Sequence, residues 1–407
     1  MGRILISAFA ASVLLAGPGV ARSDEFDLSL DVRAISSDAP ESRLEGGLGK
    51  LRFDAQHEGL RLGYLRLGYR ADLTPTLRFV AEGISYGDHD VNPIDLTELY
   101  AQWRPLPASA WRSQLKVGAF YPEISLENRM RGWRSPYTLS FSAINTWVGE
   151  ELRTIGAEYS LDWLGLAHGR NFEFSASVAA FGWNDTAGTV IATRGWALHD
   201  RQSSLFGRFA NQGRPLDERT LFYHDLDRRA GYYLASSVRY RGLLELRALH
   251  YDNRANLAAT SAKIQDSAWA TYFESLGLRW TPTEQATLIA QWLHGRTLVG
   301  TDLPQNAWSF HSVFLLASWQ QASWRYSVRA DRFASQQTTS NFLADLGYYL
   351  GDQGHAFTFA VQRTFGAHWN AILEAIKVNS DVAQRAMIGQ PTAAKEQQWQ
   401  LALRYER

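Results

Sequence analysis

The sequence predicts an all-β protein: a transmembrane antiparallel up-and-down β-barrel of about sixteen strands, preceded by an N-terminal signal peptide. Three observations predict it. Runs of about ten residues alternate large apolar with polar side chains, the period of a strand with one greasy and one wet face. The segments between runs are short and long by turns, as in barrels with tight turns at one end and loops at the other. The chain also carries 15 Trp, 17 Tyr and 20 Phe at a mean hydropathy of only −0.26, so its rings must be used locally.

Composition narrows the function classes. The 407 residues include 41 basic and 41 acidic ones, which gives no global reason to expect a nucleic-acid partner. With no cysteine, disulfide scaffolds, Cys-ligated zinc, iron–sulfur clusters and thiol catalysis are excluded. No segment after the leader has 18 consecutive apolar residues, so no helix is expected to span a membrane.

In chain order, Met1-Gly2-Arg3, the apolar run Ile4 to Ala16 and the small residues Gly19-Val20-Ala21 read as a signal peptide over 1–21. The barrel is then expected over 22–407. Its runs fall at 25–35, 60–71, 76–86, 95–104, 111–121, 151–161, 171–182, 231–241, 243–252, 268–280, 285–297, 308–319, 323–334, 355–365, 369–379 and 397–405. Trp399-Gln400-Leu401-Ala402-Leu403-Arg404-Tyr405 shows the pattern most cleanly. The stretch 48–57 also alternates, but it follows Gly46-Gly47 and would make the count odd, so it is left out. Short connections are expected at Asp72–Pro75, Pro105–Ala110, Thr281–Glu284, Gln320–Ala322 and Gly366–His368. Long ones are expected at 36–59, 122–150, 183–230, 253–267, 335–354 and 380–396. Both termini then lie at the turn end.

A closed sheet satisfies every backbone group inside a bilayer, and half of each strand is expected to face water in the lumen. Inward substitutions such as Gln400→Arg should therefore be mild. Trp103, Trp111, Trp280, Trp292, Trp319, Trp324, Trp399 and Tyr405 are expected as interface girdles.

The stretch Asp95-Leu96-Thr97-Glu98-Leu99-Tyr100-Ala101-Gln102-Trp103, followed by Lys116-Val117-Gly118-Ala119-Phe120-Tyr121-Pro122-Glu123-Ile124-Ser125-Leu126-Glu127-Asn128, resembles general and phosphate-selective porins of Gram-negative bacteria. The likeness covers about 60–160. It implies a trimeric, water-filled, sixteen-stranded channel in the outer membrane, with 122–150 folded inward as a constriction loop. Porins usually end on an aromatic residue, whereas here Glu406-Arg407 follow Tyr405.

Alternation places Arg66, Arg70, Arg78, Arg104, Arg112 and Lys116 on the inner wall as one basic stripe, opposed by Glu82 and Glu98. Farther on, Arg239, Arg247, Arg279, Arg325, Arg329 and Arg404 meet Glu158, Glu173, Glu245, Asp331 and Glu374. Two readings stand: the arginines pair with lumen carboxylates and stiffen the wall, or they bias passage toward anions. In the 122–150 segment, Glu123, Glu127, Arg129, Arg131 and Arg134 accompany Trp133, Tyr137, Phe141 and Trp147. They are pore-lining, solute-contacting candidates if the loop folds inward; the alternative is an external lid.

Two sharper constellations carry less. Asp88-His89-Asp90 offers two carboxylates and an imidazole, with no second cluster to complete a metal site. His294 and His311, with Ser309 and Ser312 nearby, place a Ser–His pair on the lipid side, but no orienter or oxyanion donor is evident. The expectation is thus a channel for passive diffusion of small hydrophilic solutes with a tilt toward anions. No catalytic residue, metal or cofactor is expected, and the partners are outer-membrane lipid, the solutes and further copies in a homotrimer. The alternatives are a channel specific for a phosphorylated or carboxylated solute, a lipid-acting enzyme using His294, and a structural or receptor barrel with a plugged lumen.

Overall fold

A computed structural model describes residues 24–87, 94–209, 220–261, 266–300, 306–339 and 350–407. The segment 1–21 and the triad Asp88-His89-Asp90 lie outside them. Sixteen antiparallel strands close into one barrel. They are β1 (Asp24–Ser37), β2 (Gly59–Thr74), β3 (Leu77–Ser85), β4 (Asp95–Trp103), β5 (Trp111–Phe120), β6 (Thr154–Trp163), β7 (Phe172–Gly182) and β8 (Gly231–Tyr240). The second half has β9 (Leu244–Asp252), β10 (Trp269–Trp280), β11 (Ala286–Val299), β12 (Asn306–Gln321), β13 (Trp324–Gln337), β14 (Gly351–Phe365), β15 (Trp369–Val382) and β16 (Ala393–Glu406). Each alternating run falls on one strand.

Neighbours in sequence are neighbours in the sheet, and β16 pairs with β1 from Ser29↔Glu406 to Ser37↔Gln398. Closure leaves no barrel edge without a partner, as a bilayer demands. Register shifts at Asp31/Val32, Asp72/Thr74 and Glu82/Gly83 confine the bulges to β1–β4. Residues 48–57 form no strand, so omitting them left the count right.

The pleat sends apolar side chains outward along every strand. Phe26, Leu67, Val117, Val178, Leu246, Leu276, Leu315, Phe357, Leu373 and Leu401 are all exposed on the outer face. At the turn end Trp103, Trp111, Trp280, Trp319, Trp324 and Trp369 form an outward ring. Trp292 and Trp399 stand farther along their strands, toward the loop end.

The interior departs from expectation. Half of each strand was to face water, yet Tyr233, Leu249, Tyr251, Phe273, Ile289, Leu293, Phe310, Phe314, Leu316 and Phe333 are inward and buried. They join one apolar cluster with Tyr121, Ile124, Leu126, Phe141, Ile144, Trp147, Val148, Ile191, Trp196 and Leu198 from the long connections. A lumen wide enough for sixteen strands holds folded chain, and apolar wall residues are what that chain packs on.

Candidate functional site

The site is what the long connections build inside the barrel. Between β5 and β6 the chain turns inward and forms helix α1 (Ala143–Glu151), capped by the Ser142 hydroxyl, which accepts the Asn145 backbone N–H at 3.3 Å. All nine residues of α1 are buried. Trp147 meets the rings of Phe273 on β10 and Phe310 on β12 with centroids 5.3 and 5.1 Å away, and Trp196 from the next long connection at 6.0 Å.

Polar contacts bind this 121–153 segment around the wall. The Arg247 guanidinium on β9 donates to the Glu123 carbonyl at 3.0 Å. Gln291 on β11 donates to the Ile124 carbonyl at 3.3 Å. On β13, Arg329 donates to Glu127 at 2.8 Å and Asp331 accepts the Ala143 N–H at 3.1 Å. Glu374 on β15 accepts the N–H groups of Leu139 and Ser140 at 2.6 and 3.1 Å. Arg134 reaches Glu406 on β16 at 2.5 Å, and Arg131 reaches Glu25 on β1 at 2.6 Å. A segment tied at so many points crosses the lumen instead of covering it from outside.

Two other long connections share the interior, which sequence reasoning did not anticipate. In 38–58, Lys50 pairs with Asp352 at 2.9 Å, its own N–H donates to Glu396 at 2.7 Å, and the Phe53 N–H donates to Gln398 at 3.1 Å. In 183–230, Asp200 accepts from Arg33 and Arg52, while Glu151 accepts the Val190 N–H at 2.8 Å. The available signal was the apolar content of Leu48, Leu51, Phe53, Trp196 and Leu198, more than a solvated loop requires.

The proposed basic stripe lies in pairs. Arg66 bridges Asp27 and Glu82, and Arg70 is 3.0 Å from Glu82. Arg78 pairs with Asp72 at 2.6 Å, Arg112 with Asp162 at 2.9 Å, and Lys116 with Glu123 and Glu158 at 2.8 and 3.3 Å. Arg129 pairs with Glu245 at 2.6 Å. Glu127 is fully buried under Arg329, far from solvent. Arg104 lies past the wall: β4 ends at Trp103, and Arg104 follows it exposed at the turn end, its N–H donating to the Thr76 carbonyl of the neighbouring turn at 2.7 Å. Of the two readings of the arginines, this geometry is the pairing one.

Beneath the inward segment, at the turn end, remains a cavity of about 450 Å³. Its charged lining is Arg70, Glu82, Glu98, Glu123, Arg129, Arg131 and Arg247, with Tyr100 and Trp133 among the rings. Lys116 and Arg247 beside Glu123 hold its carboxyl below the usual range. Burial pushes the Arg129 guanidinium down despite Glu245, whereas the hydrogen bond to Glu25 pushes Arg131 up. The cavity is polar and two-signed, suited to a small hydrated solute rather than an apolar one.

The lipid-side histidines pair directly, His294 opposite His311, and both are exposed on the outer face. Ser312 is buried on the inner face, one residue out of phase, so it cannot join them. Among the described residues, Asp185, Asp225 and Asp227 approach one another closely enough to hold a metal ion. Asp185 there accepts the N–H groups of Leu226 and Asp227, and Asp225 accepts that of Arg228.

No protein-family model matches the chain, and no curated protein sequence does. Solved structures do. The outer membrane channel DcaP of Acinetobacter baumannii is similar at TM-score 0.55 and 11% identity over 97% of this chain and 100% of that one. OmpT, an outer membrane protein of Vibrio cholerae, in its trimer form is similar at TM-score 0.52 and 10% identity, over 95% and 100%. The anion-selective porin of Comamonas acidovorans is similar at TM-score 0.50 and 12% identity, over 95% and 100%. The shared property is the barrel fold.

Proposed function

We propose that the chain is an outer-membrane channel for passive diffusion of small hydrophilic solutes, with the 121–153 segment as its constriction. The observation that carries this reading is the inward segment tied around the wall beside a polar cavity of about 450 Å³. The barrel neighbours described as a channel and as an anion-selective porin support it. Packing of three connections into the lumen makes the route narrow, so conductance is small. Four arginines against three glutamates line the cavity, and most are paired, so the tilt toward anions is slight. A homotrimer is supported by the trimeric neighbour. It is also supported by the outer face of β1–β8, which from Phe26 to Tyr240 carries no ionisable side chain apart from tyrosines.

Single-channel recording in planar bilayers tests the proposal. Small ohmic steps are expected, with a zero-current potential slightly on the anion side in dilute KCl. Arg129→Gln with Arg131→Gln should move it toward cations at low salt and much less at 1 M, where the Debye length is about 3 Å. The packed lumen favours one second reading, a structural or receptor barrel. Folded protein that never gives a step would establish that reading and end the first.

A further inference from the structure

The outer face is electrically lopsided. From Phe26 to Tyr240 strands β1–β8 leave theirs uncharged, whereas β11–β16 present His294, Arg296, His311, Arg332, His355, Lys377 and Lys395 there, with Asp381 as the acidic exception and Arg363 set apart at the turn end over the Trp324 ring. Apart from Arg363, these residues form one band toward the loop end of their strands. On β12 and β13 the first polar outward residue, His311 or Arg332, stands eight positions beyond the girdle residue Trp319 or Trp324. At about 3.3 Å per residue and a tilt near 40°, that is about 20 Å of apolar wall, the distance to the far border of a thin bilayer. Interior arginines are mostly paired. Arg296, Arg332, Lys377 and Lys395 have no ion pair among the described residues.

Directly on the turn side of this row lies a shallow external groove of about 380 Å³ over β8–β12. Its apolar lining includes Leu246, Ala248, Leu276, Ala290, Trp292 and Val313. Register joins the two features. Ala248, Leu276, Trp292 and Val313 pair across successive strands, and one step toward the loops His250, Glu274, His294 and His311 do the same. The groove exists because Ser236, Ala248 and Ala290 are small where neighbouring strands carry Leu or Trp.

We propose that this is a binding site for a phosphate-bearing membrane lipid, with an acyl chain in the groove and the headgroup phosphate between His294, Arg296, His311 and Arg332. Charge complementarity selects the occupant. Cations at a bilayer border attract anionic headgroups, guanidinium meets phosphate with two parallel donors, and an apolar groove below takes the chain. The site rests on the membrane-barrel reading but not on conduction, so the channel can fail its test while this site stands.

Native mass spectrometry of the detergent-purified full chain, titrated with phosphatidylglycerol or phosphatidylcholine, tests it. The wild type should retain phosphatidylglycerol at least tenfold more tightly. Arg296→Gln with Arg332→Gln should erase that preference, and Ala290→Leu, which fills the groove while keeping every charge, should weaken retention of both lipids about fivefold or more. Folding of each variant is read from its heat-dependent gel mobility. Equal retention of the two lipids by the wild type, preference surviving the double substitution, competition by millimolar inorganic phosphate, or loss of oligomers in place of lipid would each overturn the proposal.

Discussion

Arg329 shows how this protein keeps charge inside a barrel. Its guanidinium is fully buried on β13 and donates to Asp331 and Glu127 at 2.8 Å and to the carbonyls of Ser140 and Phe141 at 2.7 and 2.9 Å. Removing one member of a buried ionic set strands the others, at about 3–5 kcal/mol. Arg329→Met should therefore lower the unfolding free energy, read by urea titration in detergent, by that amount, more than loss of an exposed pair such as Arg78–Asp72. Glu151 is the complementary case. Burial outweighs its hydrogen bonds from Val190, Trp147 and Gly188 and raises its carboxyl from 4.5 to about 7. Between those values the folded chain holds a proton that the unfolded chain has released. Stability is then highest at the acid end of the window and falls as pH rises through it, by about 3 kcal/mol at most. Amides of 188–191 should lose exchange protection between pH 5 and 8 after correction for intrinsic rates, and Glu151→Gln should flatten that dependence.

At the scale of the element, alternation decides which substitutions a strand tolerates. Leu401 on β16 is half exposed on the apolar outer face, so Leu401→Arg should cost about 2–4 kcal/mol. Its neighbour Gln400 does not face open water, as the pattern alone implied. It is buried, accepts from Arg33 at 3.0 Å, and lies against Glu374. Gln400→Arg must fit a larger side chain beside an existing guanidinium, and a cost of about 1–3 kcal/mol is expected. Equal unfolding midpoints for wild type and Gln400→Arg would contradict the packed interior. The turn into the inward segment has its own constraint. Gly118 on β5 has φ +135°, and a Cβ there would meet the Tyr100 Cα at 2.7 Å. The glycine between Val117 and Phe120 is thus a backbone requirement of the β4–β5 pairing.

At the scale of the whole molecule, the barrel sorts its connections by end. The turns 75–76, 241–243, 281–285, 322–323 and 366–368 are at one end, with the start of β1 and the end of β16, and 38–58, 121–153, 183–209, 222–230 and 383–392 are at the other. With no native cysteine, single cysteines report sidedness cleanly. Glu45→Cys and Met387→Cys, both exposed at the loop end, should react with an impermeant maleimide on intact cells, and Glu284→Cys should not. Labelling only at Glu284 would invert the topology. Long connections are not uniformly accessible, however. Leu51, Arg52, Trp196 and Leu198 should resist the reagent because they are packed within the lumen.

Strand number, strand boundaries and the sorting of turns were legible in the sequence because each depends on a local quantity: period-two hydropathy, girdle aromatics and connection length. Position 104 escaped that reading because period-two hydropathy does not mark where a strand ends, so a residue just beyond β4, exposed at the turn end, was counted as wall. The outward histidines were legible too, since phase alone sends His294 and His311 to one face and Ser312 to the other. The lumen was decided only by tertiary structure. Alternation says that Phe273, Phe310 and Arg329 point inward, but not whether water, Trp147 or Glu127 meets them. Those partners lie on connections folded back across the barrel, at sequence separations that no local period reports. Burial and charge pairing are properties of two surfaces brought together, and a single strand carries only one of them.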